Sequence, residues 1–259
     1  MQSRFIVFTG TSLVLIAVIA FGTSRSISSS EEQNHQPQLL NRTPLFEVLK
    51  IDRDNDKVSL TLKNNYPQTV TAFVVSVGKN YQVKEEFAFA ETLGDFGIQS
   101  EKTYRKTIPL PGSLQTETEI PIVIEAVVLA DGTGDGSPLI YEDIVEERIG
   151  RAVQIRRSLR LLNQYLKTNH AVAINDLASD INNALDVSEA NTVADIQELK
   201  PLGSIPHRSN TLISDHLNRG LEYGKEDIRR LLDEAKASQS PKETLLRMKM
   251  LYERIIARL

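Results

Sequence analysis

"DGTGDGSPLIYEDIVEERIG" runs from Asp131 to Gly150 and divides the chain by rhythm. Before it, apolar side chains recur at every second position; after it, they recur at every third or fourth. The first period belongs to strands and the second to one face of a helix. Immediately upstream, Ile120, Ile122, Ile124, Ala126 and Val128 share a face. Val123, Val127 and Leu129 lie on the other, with Glu125 as a solvent-facing or paired exception. Downstream, Val145, Ile149, Ala152, Ile155, Leu159, Leu162 and Leu166 form a single stripe. Ser137-Pro138 reads as an N-cap followed by proline at the first helical position. Asp143, Glu146 and Glu147 crowd the early turns and Arg156, Arg157, Arg160 and Lys167 come later, an order that complements the helix dipole.

Outward from that point the two halves keep their periods. Upstream, Phe46, Val48 and Ile51 open a series continued by Val58–Leu62, Thr69–Val77, Val83–Phe89, Thr103–Ile108 and Glu119–Ala130. Six short strands separated by Pro, Gly and Asn turns predict an antiparallel β-sandwich over residues 44–136. Thr69–Val77 is apolar on both faces, which marks a central strand. Downstream, helices are expected to follow the first at Ile174–Leu185, Val193–Leu199, Ile213–Ala235 and Ser240–Leu259, as a bundle over residues 137–259. Ser240-Pro241-Lys242-Glu243 has the form of a capping box, and "KPLGSIP", Lys200 to Pro206, is a break. Residues 45–141 carry 14 acids and 9 bases, a net of −5, whereas residues 142–259 carry 18 of each. Neutrality in the helical half is what intrahelical ion pairs produce.

The segment "VSLTLKNNYPQTVTAFVVSV", Val58 to Val77, reads as a hairpin turning at Asn64–Gln68. It resembles hairpins of Ig-like or fibronectin-like modules in bacterial surface proteins. That resemblance is one of fold style over about residues 45–130. It implies a module that binds, spaces or presents, and it transfers no active-site residue.

The N-terminus predicts location. Arg4 is followed by 18 uncharged residues, Phe5 to Gly22, a length between a signal-peptide core and a full membrane span. Residues 1–23 are read as an uncleaved signal anchor, with cleavage near Gly22 as the alternative. Either way the rest of the chain faces out of the cytoplasm, in a bacterial envelope. Residues 24–43, rich in Ser, Gln and Asn, read as a flexible linker. Within them, Asn41-Arg42-Thr43 matches a glycosylation sequon.

Composition removes several functions. With no cysteine among 259 residues, disulfides, thiolate catalysis and cysteine-ligated zinc are excluded. Four histidines, His35, His170, His207 and His216, supply a metal site poorly. A net charge of −4 argues against nucleic-acid binding through overall electrostatics.

Among local motifs, the opening turn carries the most chemistry. Asp131, Thr133, Asp135, Gly136 and Glu142 occupy positions 1, 3, 5, 6 and 12 of a calcium loop. Hard oxygen ligands and a turn glycine suit calcium. However, Thr133 replaces a carboxylate, a β-rich run precedes the loop in place of a helix, and Pro138 stiffens it, so such a site is a weak one. Glycines that permit positive φ, turn-forming aspartates and an acid near a helix start also describe a plain corner between sheet and helices. The corner is the preferred reading and calcium the alternative; no other cofactor is expected.

"GLEYGKED", Gly220 to Asp227, is one residue short of a P-loop and has Glu226 where Ser or Thr belongs. Gly220 and Gly224 on one helical face point to close helix packing instead. Arg148, Arg151, Arg156, Arg157 and Arg160 read as solvated cations paired with nearby acids, and His216 as a partly buried structural histidine. The resulting expectation is a non-enzymatic, membrane-tethered α+β envelope protein whose partner is another envelope protein. A hydrolase or transferase using carboxylates between the two halves is a further alternative.

Overall fold

Strands and helices divide where the rhythm changes. The computed structural model of the chain describes residues 38–89, 96–117, 119–167, 174–186, 189–199 and 214–257, all within one compact unit, His35–Leu259. The expected anchor, most of the linker and the break at Lys200–Pro206 lie outside the described residues. No described helix is long and apolar enough to cross a membrane. The fold is α+β.

The strands are β1 (Leu39–Asn41), β2 (Phe46–Asp54), β3 (Lys57–Asn64), β4 (Val70–Val77), β5 (Tyr81–Glu86), β6 (Thr103–Pro109), β7 (Ile122–Leu129) and β8 (Gly134–Gly136). One sheet has the order β2-β3-β6. The other runs β1-β7-β4-β5, with β8 pairing β7 beside β1. Both contribute to a single core, in which Phe46, Leu60 and Ile108 of the first sheet meet Phe73, Val75, Ile122 and Ile124 of the second. The rings of Phe46, Phe73, Phe87 and Tyr104 touch in series, with centroids 5.3 to 6.2 Å apart. Every residue of β4 is buried, because the second sheet is covered on both faces.

Three expectations about the strands are corrected. Val58–Val77 is no hairpin: β3 and β4 belong to different sheets and are not paired. Asn64 explains the crossing. Its fully buried side chain donates to the carbonyls of Gln68 (2.8 Å) and Ile98 (2.7 Å) and accepts from the Tyr66 amide (2.9 Å). The turn is thereby held open as an arch. The larger sheet is also not purely antiparallel, since β1 pairs parallel to β7 with Leu39 opposite Ile122. The last residues of the expected linker therefore form an edge strand, and Thr43 is fully buried behind it. Finally, β5 stops at Glu86: the Phe87 amide still bonds the Thr71 carbonyl in register (2.9 Å), but the Ala88 amide turns to the Glu86 carboxylate (3.0 Å). Phe87 enters the aromatic series and Phe89 packs against the helices.

The helices are α1 (Gly112–Gln115), α2 (Pro138–Lys167), α3 (Ile174–Leu185), α4 (Glu189–Glu198), α5 (Asp215–Ala237) and α6 (Pro241–Ile256). Apart from the short α1, they match the expected stretches. The long α2 is the axis of this half. Ile144 packs on Ala72, Val74 and Val128 of the larger sheet's outer face. Farther along, Ile155, Leu159 and Leu162 join α3, α5 and α6 in a second core around Ile181, Ile228 and Tyr252. Ser240 precedes α6 but makes no side-chain cap bond, so the capping box does not form. Its amide instead donates to Ser238 Oγ (3.1 Å), which also bonds Thr244 Oγ1 (3.0 Å).

Candidate functional site

Three places carry unusual chemistry: the Asp131 turn, the seam between the larger sheet and α2, and a groove between α5 and α6. The turn is a tight β7–β8 hairpin leading straight into α2. Gly132 and Gly136 have φ of 82° and 100°, values a side chain rarely adopts. A Cβ on Gly136 would also fall on the Glu125 carbonyl. The Asp131 carboxylate accepts from the Thr133 amide (3.0 Å), Thr133 Oγ1 (2.6 Å) and Gln68 Nε2 (2.8 Å). The Thr133 and Gln68 side chains hold it below the usual aspartate range. Asp135 accepts from the Tyr66 hydroxyl (2.5 Å) and the Gly136 amide (2.8 Å). Burial, and then Asp135, push the Tyr66 phenol above its ordinary value.

Asp131 and Thr133 are thus brought together, Asp135 turns toward Tyr66, and Glu142 sits on α2. The carboxylate oxygens of Asp131 and Asp135 are committed to the protein's own donors. Among the described residues no group of three or more His, Cys, Asp or Glu is placed to hold a metal ion. The Asn41 sequon is similarly engaged, its Nδ2 donating to the Phe46 carbonyl (2.8 Å).

The seam is built from charge. Arg148, buried on α2, reaches Glu86 of β5 through two bonds, Nε–Oε2 at 3.0 Å and Nη2–Oε1 at 2.8 Å. Its Nη2 also donates to Thr71 of β4 (3.0 Å). The adjacent Glu147 is only 8% exposed and meets Lys84 of β5, Arg219 of α5 (3.3 Å) and His216 Nδ1 (3.9 Å). His216 Nε2 lies 3.3 Å from Asp143, and its side chain is partly buried, as expected. Ser214 caps α5 by accepting from the Leu217 amide (3.1 Å) while donating to Glu146 (2.6 Å). Burial pushes the Lys84 ammonium down to about 8; Glu86 opposes this, and Arg151, Arg148 and Arg219 add to it.

Buried charge is costly unless paired and hydrogen-bonded; here Glu86 and Glu147 have cations, and Glu146 is held by the Ser214 hydroxyl. The acids of α2 do not serve the dipole as expected, for none falls in the first turn. They serve the seam. The carboxylates between sheet and helices, Glu86 and Glu147, are each held in ion pairs.

The arginine cluster is paired, but across elements rather than along α2. Arg151 binds Asp227 of α5 and stacks 4.1 Å from the Phe89 ring centroid. Arg157 Nε reaches Asp195 (2.7 Å) and its Nη2 reaches Thr192 (3.0 Å), docking α4. Arg160 extends that contact to Asp195 (3.2 Å) and Glu198 (2.5 Å).

The glycines of α5 do what their spacing suggested. A Cβ on Gly220 would strike the Glu147 backbone, and one on Gly224 would press on Gln154. Gly150 of α2, which the sequence reading passed over, faces the Leu217 carbonyl and the Leu221 amide in the same way. The seam pairs were missed too. Arg148 and Glu86 are 62 residues apart, and no local pattern connects them.

The groove lies on the outer side of the α5–α6 pair. Its volume is about 460 Å³, and Leu231, Met248 and Leu251 supply apolar wall while Arg247 and Arg254 stand along α6. Met250, 60% exposed, also lines it, and Leu246 lies one turn away at 42%.

No family model, no curated protein and no solved structure matches this chain.

Proposed function

We propose that this is a non-enzymatic, membrane-tethered protein of a bacterial envelope. An Ig-like β-sandwich and a helical bundle together would present an interaction surface to another envelope protein. Phe5–Gly22 would be the single-pass anchor, with the rest outside the cytoplasm; release after cleavage near Gly22 is the variant of the same reading. What carries the proposal is the seam. Bidentate Arg148–Glu86 and the Lys84–Glu147–Arg219 group key the helices to the sheet through residues from β5, α2 and α5. Such an arrangement fixes orientation more than it adds stability, and orientation is what a presenting scaffold needs. The exposed apolar groove gives it something to present.

In-cell crosslinking in the native host, followed by capture of this chain, tests the reading. A specific envelope partner above background is expected. Recovery of nothing above background, or fractionation with cytoplasmic proteins, counts against it.

A further inference from the structure

Docking at the α5–α6 groove is set by two features, an apolar floor and positive charge that meets no carboxylate among the described residues. The floor comes from Leu231 on α5 and Met248 and Leu251 on α6, with Met250 along the edge. On α6 the lining residues Thr244, Arg247, Met248, Leu251 and Arg254 follow helical spacing, so the groove runs parallel to the helix for about 15 Å at 1.5 Å per residue. That length and volume suit two to three turns of a docked helix carrying i, i+3, i+4, i+7 apolar anchors. Methionine walls adapt to such anchors.

The arginines decide what kind of helix. On α2, Arg148, Arg151, Arg156, Arg157 and Arg160 each reach a carboxylate, as do Arg219, Arg229 and Arg230 on α5. Arg247 and Arg254 reach none among the described residues. Arg254 rests 5.9 Å from the Phe96 ring centroid, which positions its guanidinium without neutralising it. The two stand seven residues apart on one face, so their partners on an opposing helix would be acids at i and i+7. Glu234 on the facing wall asks for a cation on the opposite flank of the same helix.

We propose that the α5–α6 groove binds an acidic amphipathic helix of a partner protein, with Arg247 and Arg254 taking its carboxylates and Leu231, Met250 and Leu251 its apolar stripe over the buried Met248. This deepens the interaction-module reading and rests on it.

The test titrates the full chain with a fluorescent helical peptide of about sixteen residues. The probe bears leucines along one stripe and glutamates seven apart beside it; its counterpart has lysine for glutamate. Saturable binding of the acidic probe in the micromolar range is expected, weakening with salt. The Arg247→Glu/Arg254→Glu variant should weaken it at least tenfold and bind the lysine probe better than the parent does. If that variant melts lower than the parent, Arg247→Gln/Arg254→Gln reads the same loss without reversed charge.

The proposal is overturned by absence of saturation, by equal binding of the two probes, or by indifference to both variants. It is also overturned if the same arginines instead govern self-association, or adsorption to anionic vesicles without peptide binding. The two readings fail separately. A crosslinked partner whose recovery ignores Arg247→Glu/Arg254→Glu leaves the module standing and removes the groove. Probe binding without any cellular partner does the reverse.

Discussion

The two-sheet half and the helical half reach burial by opposite routes. The sheets fill a shared space with large side chains: Phe46, Phe73, Leu60, Leu62, Ile108, Ile122 and Ile124 are all fully buried. Where α2 crosses α5, side chains are removed so that backbones touch, at Gly150, Gly220 and Gly224. Around that contact the interface is laid with ions, Glu147 with Lys84 and Arg219, and Arg151 with Asp227. The difference teaches what each half tolerates. A core of side chains is damaged by subtraction, whereas a crossing of backbones is damaged by addition.

Substitutions can break or sharpen that contrast. Phe73→Ala should cost about 4 kcal/mol by denaturant titration, the range for an aromatic core truncation. Arg148→Ala, which strands Glu86, should cost about 3 kcal/mol, while Arg148→Met with Glu86→Leu should regain most of it. If the double change is no better than the single, the seam works by shape and not by charge pairing. Gly220→Ala adds one methyl and should cost about 2 kcal/mol, whereas Gly112→Ala, where nothing lies within 4 Å, should be nearly silent. Equal effects at the two glycines would dissolve the comparison.

Smaller effects follow from titration and from the turn. Lys84 is held at about 8 against an ordinary 10.5. Between those values the unfolded chain binds the proton more than the folded one, so stability should rise with pH from about 8 to 10. Lys84→Met should flatten that rise in melting temperature. At the Asp131 turn, millimolar calcium should leave the melting curve unmoved, in the parent and in Glu142→Gln alike. A calcium-dependent shift in the parent would restore the loop as a cation site.

The changeover at Gly136 was legible because periodicity is a local property, and so were the six main strands and the five long helices. What local pattern could not carry was pairing. Val58–Val77 reads as a hairpin, since two apolar runs flank an Asn-Asn-Tyr-Pro turn. Only the bonds from Asn64 to Gln68 and Ile98 send the second run to another sheet. Leu39–Asn41 is too short and its neighbourhood too polar to announce a strand, and it forms because β7 offers an edge. At the candidate site, Gly220 and Gly224 were readable from spacing on one helix face. Glu147 looked like an acid matched to the helix dipole and Arg148 like a solvated cation, because their partners come from β5 and α5. For the same reason the groove could not be seen in advance: Leu231 and Met250 look alike whether covered or open.

The central position of α2 has a consequence for synthesis. Its sheet-side partners are made before it, for Glu86 precedes Arg148 by 62 residues. Its α5 partners come after: Ser214 follows Glu146 by 68 residues, Arg219 follows Glu147 by 72 and Asp227 follows Arg151 by 76. At roughly 5–20 residues per second, α2 waits several seconds on the ribosome with one flank latched and the other bare. Assembly is therefore vectorial. A nascent chain truncated before Ser214 would leave Ile149, Ala152 and Val153 without the cover of Leu217 and Leu221, and that stage is where a chaperone would find its handhold.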